Sequence, residues 1–376
     1  MIDKWLREVV EKVNVDVVDE ARERLSASWN FKSIDRPPLI VNCLPPIPWL
    51  RFKYTETFYD KDKMLISQLA NVYSHCLLQD DAMLCVRANY GVGIIPNGFG
   101  SEIIVQQQVD NMPWVKAPIL SQDLPNIDNL KDPDPYEDGL MRNVLETEEY
   151  FVKMLEGTGI RVYLCDTQSP LDIAYLLRGV KLLTDFYKRP DFVKELFHRI
   201  SRVYIEFSKI QKKIVGEPHN QGVHGNPNVW MDKGGVRLCE DVAVMLSPEM
   251  YRRFCKPFNE MCLKPFGGGM NHFCCSSVSD GRHILDEMFS NPYVKAFTFG
   301  SPGKFYDFGK TFNYFQEKNV CLIWTDGPMP DQTVEDWVKN IADKLYEKTG
   351  VIFSISVESF EKAQKLIKCF HQCFKK

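Results

Sequence analysis

The chain has 376 residues, 44% of them hydrophobic, and 46 Lys and Arg stand against 50 Asp and Glu for a net charge of −4. With charge so balanced and no basic run of five or more, nucleic acid is not expected as the main partner. No apolar run approaches the roughly 18 residues of a membrane span, so no membrane association is expected.

The stretch from Met1 to Glu20 is charged throughout and lacks the apolar segment of a signal peptide, so a cytoplasmic location is expected. In a reducing compartment the 12 Cys read as buried thiols or metal ligands rather than disulfides. No CxxC pair occurs; the close pairs are Cys274–Cys275, Cys369 with Cys373, and His272 with Cys274.

In chain order, Ile2, Trp5, Leu6, Val9, Val10 and Val13 repeat at helical spacing and open a helical segment. After Pro37-Pro38 the run Leu39-Ile40-Val41 reads as a first buried strand. Further short apolar runs follow at Met83–Val86, Ile160–Cys165, Val236–Leu238, Met270–Phe273, Val294–Phe297, Val320–Trp324 and Val351–Ile355. Helices lie between them. One carries the stripe Phe192, Leu196, Ile200, Val203, Phe207 and Ile210. Another, Met250 to Cys262, is opened by Ser247-Pro248, a cap followed by a proline suited to the first turn. Thr333 is a plausible cap for a third.

Strands that alternate with helices imply parallel strands and crossover helices. Eight such units predict an α/β fold, a (β/α)8 TIM barrel forming one domain over 1–376. The prediction includes an N-terminal helical extension over 1–35 and a long loop insertion after strand 2, where 88–139 is Pro-rich and aperiodic. Trp114 and Trp230 fall in long loops and are read as lid or interface residues.

The motifs on this frame resemble those of the uroporphyrinogen decarboxylase superfamily. Asp166-Thr167-Gln168-Ser169-Pro170, running on to Leu176-Leu177-Arg178-Gly179, is similar to its third-strand motif. Asp241 followed by Leu246-Ser247-Pro248-Glu249 resembles the fourth-strand motif. His272-Phe273-Cys274 resembles the His-x-Cys of the methyltransferase branch, and Asp326-Gly327-Pro328 the turn after the seventh strand. The likeness runs from about Arg36 to about Leu366.

The resemblance implies one of two activities: decarboxylation of a carboxylated tetrapyrrole without a cofactor, or methyl transfer between a corrinoid protein and a thiol or tetrahydrofolate-like acceptor. The decarboxylase pattern is broken in three places. Asn42–Pro46 replaces an Arg-bearing stretch, Arg87-Ala88-Asn89 stands where the family has an Asp, and Ser354–Ser356 where it has a His. The methyltransferase reading is therefore preferred. A third reading is a non-catalytic barrel that holds a corrinoid or tetrapyrrole.

The methyltransferase branch implies zinc. His272 and Cys274 lie two apart on a strand, so both side chains leave the same face, and both are zinc ligand types. The family's distant Cys after strand eight is missing, and a carboxylate such as Glu358 could replace it. The expected metal set is thus His272, Cys274 and Glu358. Asp241, His272 and Asp166 are the candidate catalytic residues. Asn89, Gln168, His224 and Asp326 are the candidate substrate contacts. Asp241 and its neighbour Glu240 also suit a structural charge role, and Asp326 a simple turn. A corrinoid protein is the expected partner, supplying the corrinoid, and a homodimer is implied by the family.

Overall fold

The protein is described from a computed structural model that covers residues 1–106, 110–276, 279–329, 331–345 and 349–374. All the expected strands form: β1 (Leu39–Asn42), β2 (Cys85–Arg87), β3 (Arg161–Tyr163), β4 (Val236–Cys239), β5 (Gly269–Cys274), β6 (Val294–Gly300), β7 (Cys321–Trp324) and β8 (Val351–Ser356). The order β1-β8-β7-β6-β5-β4 makes one six-stranded parallel sheet, and β2 and β3 form a separate parallel pair. First pairs with last, Asn42 opposite Ser356, as in a strand cylinder. Among the described residues the ladder does not close, because neither β1–β2 nor β3–β4 is paired.

Side chains alternate in direction along a strand, and two cores result. Leu39, Val41, Val86, Val162, Leu238, Phe273, Phe297, Leu322 and Phe353 pack towards the helices. Ile40, Cys85, Tyr163, Met270, Ala296, Cys321, Ile323 and Ile352 share a second cluster. Residues from so many strands can meet in one cluster only if the strands curve around it. Leu25 and Trp29 of the helix Val15–Trp29 also enter this interior. The predicted N-terminal extension therefore carries part of the inner core.

A hairpin explains the open joint between β1 and β2. Gly222–His224 pairs antiparallel with Val229–Met231 just before β4, and Val223, Val229, Trp230 and Met231 fill the interior. At its tip Asn228 donates to Asn42 Oδ1 (3.3 Å) and meets His75 Nε2 at 3.1 Å, while its carbonyl accepts from Met83 N at 2.8 Å. Trp230, expected in a lid or an interface, is instead buried, with the Arg22 guanidinium 4.0 Å from its ring centroid. The backbone of β1 still finds partners: Leu39 N donates to Asp81 Oδ2 at 2.8 Å and Val41 N to Asp80 Oδ2 at 2.7 Å. Two carboxylates thus do the work of a missing strand neighbour.

The segment after β2 has structure of its own, with a short helix Ile94–Gly98 and an antiparallel pair of Ile103–Ile104 with Trp114–Val115. It is tied down by arginines: Arg178 donates to the carbonyls of Leu120, Gln122 and Asp123, and Arg199 to those of Ile127 and Leu130. The predicted caps form: Ser247 accepts from Met250 N at 3.2 Å and Thr333 from Asp336 N at 3.1 Å. The helix expected from Met250 to Cys262 widens by one residue per turn at Tyr251–Cys255, because Pro257 has no N–H to give to the preceding turn.

Candidate functional site

β4 and β5 run side by side with Cys239 opposite His272 and Arg237 opposite Met270. Met270 belongs to the interior cluster, so the alternation turns Arg237, Cys239, His272 and Cys274 inward. Glu240 and Asn271 then face the helices. Glu240 is fully buried and accepts from Tyr251 Oη (2.9 Å), Asn259 Nδ2 (2.7 Å) and Asn271 Nδ2 (2.6 Å). Its own N–H donates to His272 O at 2.8 Å. This network locks the ends of β4 and β5 together and so fixes where Cys239 and His272 point.

Burial pushes the Glu240 carboxyl up to about 7, against the pull of Tyr251, Asn259 and Asn271. An acid held above its ordinary 4.5 keeps its proton more readily folded than unfolded. Its contribution to stability is thus greatest below about pH 4.5 and is lost as pH rises through about 7. At roughly 1.4 kcal/mol per pH unit, the change amounts to about 3 kcal/mol. Glu240→Gln is expected to flatten the fall in stability between those limits, measured by urea unfolding at several pH values. An unaltered slope would contradict the assignment.

Asp241 follows β4 at the start of a short helical turn. Its N–H and that of Val242 donate to the two oxygens of Asp172, at 2.8 and 3.1 Å. Burial, and then the charge of Asp241, raise the Asp172 carboxyl well above its usual range. The Asp241 carboxylate in turn accepts from Cys274 N at 2.6 Å and from Cys239 Sγ at 3.6 Å. His272 Nε2 lies 3.4 Å from Cys274 Sγ.

The ligand atoms of Cys239, Asp241 and His272 all lie within 4.8 Å of one another, and theirs is the only such group of three among the described residues. The Nδ1 of His272 is buried without a partner. Burial and the charge of Arg237 lower the His272 pKa well below its usual value, so the imidazole is neutral and able to bind a metal. Burial pushes the Cys274 thiol up to about 12 and also raises the Cys239 thiol well above its usual value.

Glu358, expected as a third ligand, is outside this group. It follows the end of β8, exposed, and forms an ion pair with Lys362 one helical turn on. Asp166 and Gln168 follow β3 and meet: Gln168 Nε2 donates to Asp166 Oδ1, and Arg87 Nη1 lies 3.4 Å from Asp166 Oδ2. Asn89 follows β2 and its Oδ1 is buried without a partner. His224 sits in the hairpin, buried, with Nδ1 2.9 Å from Asn226 O and its ring centroid 5.2 Å from that of Tyr163. Asp326 accepts from Gly303 N and braces the loop after β6 against the loop after β7.

Three residues of this region were not picked out from sequence. Cys239 has the same spacing to Asp241 as His272 has to Cys274, so the period of two would have found it. Arg87 and Arg237 are both inward-facing strand residues, each only 9% exposed, and they place two cations where the sequence suggested none.

No family model matches the sequence, and no curated protein matches it. Among solved structures, a methyltransferase from Methanosarcina mazei shares the fold at a TM-score of 0.65 and 14% sequence identity, covering 94% of this chain and 98% of that chain.

Proposed function

We propose that the chain is a methyltransferase of the uroporphyrinogen decarboxylase-like superfamily, a (β/α)8 barrel that moves a methyl group between a corrinoid protein and a thiol or tetrahydrofolate-like acceptor. The observation that carries this reading is the meeting of Cys239, Asp241 and His272, with Cys274 beside them, at the C-terminal ends of β4 and β5. Active sites of (β/α)8 enzymes form at that end. The order of the sequence motifs and the fold shared with the Methanosarcina mazei methyltransferase support it.

The donor set fits zinc. One imidazole, one carboxylate and one or two thiols are its usual ligands, and a buried, neutral His272 suits it. Cys239, Asp241 and His272 would hold the metal, with Cys274 in reach. When bound, zinc lowers the pKa of a coordinated acceptor thiol so that thiolate forms near neutral pH. Asp172 holds the backbone of Asp241 in place, and Glu240 holds the strand pair. Asp166, Gln168 and the free Oδ1 of Asn89 are available to orient the acceptor through its N–H and O–H groups. The corrinoid protein would dock over the mouth that these residues line.

The test is demethylation of methylcobalamin by the zinc-loaded protein, followed by absorbance, with small thiols and tetrahydrofolate offered separately. Turnover with one acceptor class is expected, and it should fall below detection in His272→Ala. No turnover with either class would defeat the reading.

A further inference from the structure

The one acid that shares a cavity with Arg237, Asp166, is already engaged by Arg87 and Gln168, so Arg237 has no ion pair of its own among the described residues. Arg237 is 9% exposed, and its Nε is buried with no hydrogen-bond partner. Burying an unpaired guanidinium is strongly unfavourable, so such a residue is kept where an anion comes to meet it. The guanidinium also offers a planar fork of donors matched to an oxyanion.

The surroundings fit the same role. A small cavity of about 10 Å³ is lined by Arg237, Asp166, Thr167, His224 and Cys239 among others, enough for about one oxygen atom. Arg87, on β2, is a second buried cation facing this region, and its only carboxylate contact is Asp166 at a long 3.4 Å. Tyr163, His224, Cys239, His272 and Cys274 all sense the charge of Arg237. His224 is held neutral by burial and by the two arginines, so it adds no competing charge. On its own strand Arg237 lies two residues below Cys239, the same face carrying both.

We propose that Arg237 is an anion subsite of the barrel interior that takes the carboxylate of a small organic acid, one carboxylate oxygen entering the cavity against the guanidinium while Arg87 and Gln168 neutralise the Asp166 carboxylate. The rest of the molecule then projects upward to the layer of Cys239 and His272. Calling the ligand a substrate rests on the function proposed above, whereas the binding itself does not. The subsite restricts the acceptor to molecules with an acidic end a short distance from the reacting atom.

The experiment uses the full-length, metal-free protein with acetate as the probe and acetamide as its uncharged counterpart, at constant ionic strength. Thermal stabilisation and titration calorimetry read the binding. Saturable binding of acetate and none of acetamide is expected. Arg237→Met should weaken acetate binding by at least about tenfold, and Arg237→Lys should recover part of it. Arg202→Met, on the exposed face of a helix, should bind as the parent does. Equal binding of acetamide, or no saturable binding of acetate by the parent protein, overturns the proposal without any variant having to fold. Acetate binding that survives in a folded Arg237→Met protein overturns it as well. Because metal and methyl donor are absent, this outcome is independent of whether methyl transfer is found.

Discussion

On the proposed zinc reading, Cys239→Ser and His272→Ala are each expected to strip the protein of zinc, and Glu358→Gln to leave it in place. Protein purified without chelator is expected to hold about one equivalent by elemental analysis, and the first two variants less than about a tenth. The contrast follows from position. Cys239 and His272 sit opposite each other on paired strands whose ends are locked by Glu240, so their ligand atoms are brought together before any ion arrives. Glu358 is exposed and engaged with Lys362 one helical turn on. Cys274 is the intermediate case. Its backbone N–H is held by Asp241 and its thiol touches His272, so Cys274→Ser is expected to weaken the metal by about 10- to 100-fold. Equal loss in Glu358→Gln and Cys239→Ser would defeat the assignment, and a parent protein with less than about a tenth of an equivalent would defeat the zinc reading altogether.

Arg178→Met destabilises the fold by about 3–5 kcal/mol, read from urea unfolding. Arg178 is 2% exposed and pairs with the buried Asp185 through Nε at 2.6 Å. Its other nitrogens donate to the carbonyls of Leu120, Gln122 and Asp123. Removing the side chain leaves the Asp185 charge buried and uncompensated and frees three carbonyls from their donors. The segment after β2 loses an anchor at the same time, so limited proteolysis should cut near 118–125 in the variant and not in the parent. Arg178→Lys should restore little, since one ammonium cannot span the four acceptors that the guanidinium reaches. A loss below about 1 kcal/mol would show that the ion pair is not what holds this region.

The regular parts of this molecule were legible because they obey simple periods. Each expected strand formed with its ends within three residues of those expected, since short apolar runs buried on both faces can be little else in an alternating chain. His272 with Cys274 was legible for the same reason. What escaped was relational. Cys239 becomes informative only once β4 is known to lie beside β5 with Cys239 opposite His272. Glu358 looked eligible from its place after strand eight, but side-chain direction and a local lysine decide its partner. The hairpin around Asn228 could not be foreseen, since residues 217–231 carry Gly, Pro, Asn and His in a pattern that reads as a connecting loop. Its burial depends on contacts with β1, β2 and the helix Val15–Trp29 that are remote in sequence.

That hairpin, together with the helix beneath it, turns the interior into a cul-de-sac. Trp230, Met231, Leu25 and Trp29 fill the interior together, so on the proposed function traffic to Cys239 and His272 would use the mouth at the C-terminal ends of the strands. A single doorway imposes a queue. For the proposed reaction the small acceptor must be seated before a bulky methyl carrier settles over the entrance, and it can depart only after that carrier has lifted away. The order of arrival and departure is then a matter of architecture rather than of relative affinity.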